Sequence, residues 1–208
     1  EVPSRGLGDV YKRQVFNYLV KPKGSRTTGK KEIEGNELLL NTELQNHQYT
    51  QRIGIVIGLP RARMYNEIKE GLEVIVHHNI FRRFRDIRGK EKNSKNYFEE
   101  DIYLVQPDQI YAYKQNNEWK ALEGFVFVMP IKETDGISIE KERPLIGIVK
   151  YGNNNIEIDT LVGFKPNSEY EFIIEGQRLY RVPMNAITIK YEYQGDEEEY
   201  NPGWAQSS

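Results

Sequence analysis

Asp101-Ile-Tyr-Leu-Val-Gln-Pro-Asp-Gln-Ile110 can be laid over Arg178-Leu-Tyr-Arg-Val-Pro-Met-Asn-Ala-Ile187 without a gap. Tyr103 and Tyr180, Val105 and Val182, and Ile110 and Ile187 are identical across the two stretches, and Asp108 meets the near-isosteric Asn185. Upstream, Ile53-Gly54-Ile55-Val56 matches Ile146-Gly147-Ile148-Val149, and Asn17-Tyr-Leu-Val-Lys-Pro22 matches Phe125-Val-Phe-Val-Met-Pro130. The matches keep their order along the chain, which points to two copies of one β unit. The alternative is chance likeness between segments that share a strand composition.

That composition extends to the whole chain. The apolar segments are rich in Val, Ile, Phe and Tyr, and there are 14 tyrosines; these residues favour strands. No window places apolar residues at i, i+3, i+4 and i+7 over three turns. Candidate strands are Phe16–Val20, Arg52–Ile57, Leu72–His77, Ile102–Val105, Gln109–Tyr113, Phe125–Met129, Leu145–Lys150, Thr160–Phe164, Tyr170–Ile174, Arg178–Val182 and Ile187–Tyr193. Turn residues separate them, among them Gly58-Leu59-Pro60, Gly152 to Asn155, Pro166-Asn167-Ser168 and Glu175-Gly176. The fold class is therefore all-β, in the form of small barrels or sandwiches.

The bulk numbers narrow the function. A net charge of −2 with 29% charged residues describes an ordinary protein surface. The chain has no cysteine, which removes disulfides, thiol nucleophiles and Cys-based zinc sites, and fits a cytoplasmic location. The longest apolar run, Ile53 to Leu59, is too short to span a bilayer. Asp9 to Gln14 is what GAT GTG TAT AAG AGA CAG encodes, the end of a sequencing-library transposon, so residues 1–14 are read as a sequencing-adapter artefact rather than as fold.

The two copies differ in one place. Between Pro22 and Arg52 the first carries a long segment; between Pro130 and Ile146 the second carries about half as much. The long segment has Gly-, Thr- and Lys-rich flanks, which bury too little apolar surface to offset backbone ordering. In its middle stand Leu38, Leu39 and Leu40, shortly after Ile33 and Gly35. A long loop of this kind is usually functional, and an apolar cluster within it reads as a docking element. The structural alternative makes Leu38–Leu40 a strand of the barrel.

In this arrangement the chain resembles the co-chaperonin (GroES) family. The resemblance rests on Val20-Lys21-Pro22, then Leu38-Leu39-Leu40 after Gly35, then Arg52-Ile-Gly54-Ile-Val56, Lys69-Glu-Gly71-Leu-Glu73-Val74 and Asp108-Gln-Ile110. It covers roughly 15–113 and, more faintly, 124–193. The chain departs from the family in its added second copy, in Leu72 at a position usually held by Asp, and in a longer, more basic stretch between Ile80 and Phe98. Enlarged co-chaperonins of this kind are similar to those of some large bacteriophages. The resemblance implies two tandem GroES-like β-barrel units: 15–122, with a mobile loop at about 23–51, and 123–193, followed by an acidic C-terminal tail at 194–208. It also implies a homo-oligomer, a heptamer, that caps a GroEL-type chaperonin in the cytoplasm, or in the bacterial host's cytoplasm if the chain is viral. Leu38, Leu39, Leu40, Ile33 and Gly35 would dock in the chaperonin's apical domains. The chain needs no cofactor of its own, since ATP is bound by the partner. Burying three leucines contributes about 5–8 kcal/mol, and ordering five loop residues costs about 5–10 kcal/mol. One loop then binds weakly and a ring of loops binds well.

Other groups carry less. His77 and His78 are adjacent on a candidate strand, so they should point to opposite faces, one buried and one exposed, with no shared metal. Arg82, Arg83, Arg85, Arg88 and Lys90 form a basic patch with interleaved aromatics. Such a patch can grip nucleic acid, but a solvated hairpin tip or a subunit or chaperonin contact is the favoured reading, and nucleic acid is not expected as a partner. Asp196 to Glu199 reads as a solvated charge run, not a general acid/base pair. No triad, phosphate-cradling glycine pattern or metal ligand set is apparent, so the chain is expected not to be an enzyme. Two rival classes remain: a viral structural or assembly protein using the same barrel, and an oligomeric nucleic-acid-binding module using residues 82–95.

Overall fold

The computed structural model describes residues 15–26, 31–33, 36–38, 50–133, 141–192 and 195–206, with the backbone alone at 31–33 and 36–38. The protein is all-β, built from antiparallel strands. It divides into two units between Lys114 and Gln115. The first contains β1 (Tyr18–Pro22), β2 (Lys31–Ile33), β3 (Asn36–Leu38), β4 (Ile53–Gly58), β5 (Glu73–Val76), β6 (Arg83–Arg85), β7 (Glu91–Asn93), β8 (Tyr97–Glu99), β9 (Ile102–Val105) and β10 (Ile110–Gln115). The second contains β11 (Glu118–Ala121), β12 (Phe125–Lys132), β13 (Glu142–Tyr151), β14 (Leu161–Phe164), β15 (Tyr170–Ile174), β16 (Gln177–Pro183), β17 (Ile187–Lys190) and a one-turn helix, Gly203–Gln206.

Each candidate strand window of the sequence contains or overlaps a strand. Six strands of the seven-stranded sheet lie in the first unit, in the order β8-β9-β1-β4-β5-β10; the six-stranded sheet of the second has the order β15-β16-β12-β13-β14-β17. The two orders correspond strand for strand, and so do the registers. Val20 pairs with Val56 and Pro22 with Gly54, as Val128 pairs with Val149 and Pro130 with Gly147. Val20 pairs with Tyr103, as Val128 pairs with Tyr180. Even the irregularities coincide: the register shifts between Leu19 and Val20 in one copy and between Phe127 and Val128 in the other. A 3-10 turn then leads into the next strand in both, at Pro107–Gln109 and Met184–Ala186. A strand slipped by one residue would turn its apolar side chains to the wrong face, so shared register means a shared core pattern.

In the first unit Tyr18, Leu19 and Val20 are fully buried, and Phe81 meets Tyr103 edge to face at 4.9 Å. In the second, β12 is buried on both faces, as its unbroken apolar run requires. Val126 and Val128 join Val149, Val162 and Val182 on one side. On the other, Phe127 packs against Tyr151 and Phe172, with ring centroids 5.4 and 5.6 Å away.

Trp119 donates its indole N–H to Glu175 (3.2 Å) and lies 6.1 Å from Tyr151. Two expectations need correction. His77 and His78 do not straddle a strand, because β5 stops at Val76. Both are half-buried, and their rings stack at 4.1 Å. The acidic run is largely exposed, as expected, but it is docked rather than a free tail. Glu199 bridges to Ile131, Tyr200 N donates to Pro130 O (2.8 Å), and Glu197, Glu198 and Glu199 form ion pairs with Arg143, Lys132 and Lys150.

Candidate functional site

Two hairpins in the first unit form small sheets of their own, outside the shared frame. The first is β2–β3, where Lys31 pairs with Leu38 and Ile33 with Asn36. It rises from the connection between β1 and β4, whose base is pinned. Lys23 N donates to Ile53 O (2.9 Å) and Gln51 N to Arg26 O (3.0 Å), and the Gln51 side-chain amide donates to Lys23 O (2.7 Å). Gln51 Oε1 also accepts from the backbone of Arg52 and Ile53, so this one side chain ties both legs of the connection. Of the proposed docking residues, Ile33 and Leu38 lie in the two strands of this hairpin, while Gly35, Leu39 and Leu40 lie outside the described residues. Where the sequence suggested a loop without regular structure, there is a local hairpin. Leu38 belongs to that hairpin rather than to the larger sheet.

The second hairpin is β6–β7, which contains most of the basic patch: Arg83 pairs with Asn93, Phe84 with Lys92 and Arg85 with Glu91. Its tip is organised by Asp86. One carboxylate oxygen, Oδ1, accepts from the backbone N–H groups of Arg88 (2.9 Å) and Lys90 (3.0 Å). Asp86 N donates to Lys90 O, Gly89 N donates to Asp86 O, and Gly89 takes the left-handed φ of +75° that glycine tolerates. The Lys90 N–H above all, with that of Arg88 and the Lys92 ammonium at 3.3 Å, holds the Asp86 carboxyl below the usual carboxylate range. A depressed folded pKa means the cap is intact above the ordinary carboxylate range and fails only as pH falls through the lower folded value. Asp86→Ala should raise hydrogen exchange at the Arg88 and Lys90 amides about tenfold, while exchange in β1 and β4 stays unchanged; unaltered tip exchange would count against the cap.

The cap presents Ile87 to solvent with its side chain entirely exposed (103%). Around it Arg85, Arg88 and Lys90 are exposed, Arg83 is paired with Glu91 (2.9 Å), and Arg82 donates to Asn79. The foot of the arm borders an open cleft of about 520 Å³ lined by Arg26, Asn93, Tyr97 and Asp101 among others. Arg26 donates to Asn93 Oδ1 (2.9 Å) and lies over the Tyr103 ring at 5.2 Å. Burial lowers the Arg26 pKa and raises that of Tyr103.

A cluster in the second unit was not singled out in the sequence. Arg178 donates to Glu171 (2.7 Å), to Glu142 and to the Tyr180 hydroxyl, which itself donates to Glu142 (2.7 Å). Burial works against the Arg178 charge, but the bonds to Glu142 and Glu171 outweigh it and hold its pKa above the ordinary value. Desolvation, then the bond to Glu142, pushes the Tyr180 hydroxyl up. All three guanidinium nitrogens and the Tyr180 hydroxyl are engaged within the set, which borders an open cleft of about 320 Å³ shared with Lys141 and Trp204. Among the described residues no group of three or more His, Asp or Glu could hold a metal, and no helix is long and apolar enough to cross a membrane. No protein-family model matches the chain, and no curated protein matches it.

Proposed function

We propose that this chain is a docking protein without chemistry of its own: a co-chaperonin that caps a GroEL-type chaperonin ring through the β1–β4 connection. The observation that supports it most is the difference between two equivalent connections. β1–β4 and β12–β13 share one register, yet the second copy returns across 133–141, while the first runs from 23 to 52 and carries its own hairpin. Its described hairpin lies outside the larger sheet, and its base is pinned by Gln51. A long excursion held at its root, with an aliphatic triplet at 38–40, suits an element that binds outside the chain. In this reading each copy is a β-barrel, the protein is a homo-heptamer, and ATP turns over on the partner.

The test is ATP-dependent co-sedimentation of the full chain with a chaperonin ring. Simultaneous Leu38→Ser, Leu39→Ser and Leu40→Ser substitution is expected to weaken binding by about 100-fold or more, since each loop's loss is multiplied around the ring. Circular dichroism and the oligomeric state should stay as in the wild type. Equal binding by the triple variant, or none by the wild type with the chaperonin of its own host, would remove the proposal.

A further inference from the structure

The β6–β7 arm carries an inference that stands apart from chaperonin docking. Residues 82–95 hold seven cations against two carboxylates, in a chain whose total charge is −2. Both carboxylates are engaged inside the arm, Asp86 with the tip amides and Lys92, Glu91 with Arg83. Arg85, Arg88, Lys90 and Lys95 are all exposed. The arm is a separate two-stranded ribbon. Three residues per strand span about 10 Å, comparable to the depth of the B-DNA major groove, which is wide enough for a two-stranded ribbon. The capped tip fixes one apolar side chain, Ile87, at its outermost point.

We propose that this arm binds double-stranded DNA by entering the major groove. The exposed cations lie along the phosphates, and Ile87 touches base edges, where the thymine methyl is the apolar feature. The geometry favours a duplex over a lipid surface because the arm exposes only Ile87 fully and Phe84 in part, among exposed cations, whereas interfacial binding needs a broad apolar face. It favours B-form over A-form, whose major groove is too narrow and deep for side chains to read.

The experiment is fluorescence anisotropy of the full chain with a labelled 20-base-pair DNA, its RNA counterpart and anionic phosphatidylserine vesicles. The DNA should bind with a log–log salt slope of about −3 to −4, for about four phosphate contacts. Combined Arg85→Glu, Arg88→Glu and Lys90→Glu substitution should cost about 100-fold and flatten the slope. Ile87→Ser should cost about fivefold and leave the slope intact, because it removes no charge. All these positions are exposed, and unchanged thermal melting checks that the variants remain folded. DNA binding unaffected by the charge reversals, duplex RNA or vesicles bound as tightly as DNA, or no DNA binding at low salt would each overturn the proposal. An Ile87→Ser variant equal to wild type would overturn the assignment of the tip. None of these results bears on whether the Leu38–Leu40 segment docks to a chaperonin, which the co-sedimentation experiment decides separately.

Discussion

Arg178→Ala is expected to lower the stability of the second unit by about 2–4 kcal/mol. The guanidinium side chain is only 12% exposed and is shared by two carboxylates that are themselves partly covered, Glu142 at 33% and Glu171 at 29%. Its removal leaves those two carboxylates near each other without a counter-charge and deprives the Tyr180 hydroxyl of a donor. The guanidinium also lies over the Tyr180 ring at 4.9 Å and the Trp204 ring at 5.9 Å, so cation–π attraction disappears with it. Partial solvent access to both glutamates keeps the estimate below that for a fully buried pair. Arg178→Lys should recover only part of the loss, since an ammonium cannot serve Glu142, Glu171 and Tyr180 in one plane. Joint Arg178→Met, Glu142→Gln and Glu171→Gln substitution should cost less than Arg178→Ala, because no charge then faces an empty partner position. Urea unfolding followed by tryptophan fluorescence is the appropriate reading. Trp119 and Trp204 are the chain's two tryptophans, and both lie in the second unit. If Arg178→Ala unfolded at the wild-type midpoint, the cluster would be ornamental and the balance of charges described for it incorrect.

The strand frame was legible in the sequence because its signals are local and repeated. Ile102–Val105 and Tyr170–Ile174 have the bounds that composition and turn residues assign to them. The Ile-Gly-Ile-Val and Tyr-x-Val repeats mark strands whose pairing is equivalent in the two units. The three-residue strands β2, β3 and β8 were not legible, and of β6 and β7 only the exposed hairpin tip was. They are polar or mixed, too short to show a period, and at β6–β7 the pairing is set by the Asp86 cap and Gly89 rather than by apolar alternation. The histidine pair misled for a related reason: a two-residue period was extended one turn beyond the end of β5. The ion pairs of the acidic run were hidden because its counter-charges are remote in sequence. Lys132, Arg143 and Lys150 lie 66, 54 and 49 positions before Glu198, Glu197 and Glu199, and nothing local announces them.

The same contrast applies to the candidate sites. What the two copies share is core, and it says little of function, since a frame can host many activities. What they do not share is the β1–β4 excursion and the β6–β7 arm, and both proposals rest on these additions. The basic composition of 82–95 was visible in the sequence, but the hydrogen-bonded cap and the full exposure of Ile87 appear only once Asp86, Arg88 and Lys90 are seen together. The Arg178 cluster was hidden because β15 and β16 pair Glu171 with Tyr180 and Ile173 with Arg178, a register that no local pattern fixes, and because Glu142 arrives from a third strand.

Gly147→Ala should destabilise the second unit by about 3 kcal/mol or more, and Gly54→Ala the first by about 1–2 kcal/mol. The two glycines occupy equivalent positions, opposite Pro130 and Pro22. A Cβ at Gly147 would stand 2.4 Å from the carbonyl oxygen of Met129 and 2.5 Å from a methyl of Val128. The carbonyl belongs to β12, the central strand buried on both faces, so relief requires the ladder itself to shift. At Gly54 the nearest atom, 2.3 Å away, is a methyl of Val20, followed by the Phe81 ring at 3.0 Å; the nearest backbone oxygen, on Lys21, is 3.1 Å away. Side chains can yield where a paired backbone cannot, although Val20 is fully buried and stiff about χ1. The order of the two costs is therefore the sharper expectation. Tryptophan-detected urea unfolding reads Gly147→Ala, and hydrogen exchange of the β4 amides reads Gly54→Ala. A Gly54→Ala cost equal to or above that of Gly147→Ala would show that backbone crowding does not set the penalty. If the order holds, the Ile-Gly-Ile-Val repeat has a physical cause in each copy: two strands approach too closely at that register for any side chain. The glycine then marks a packing requirement of the frame, and function must be sought in the segments the two copies do not share.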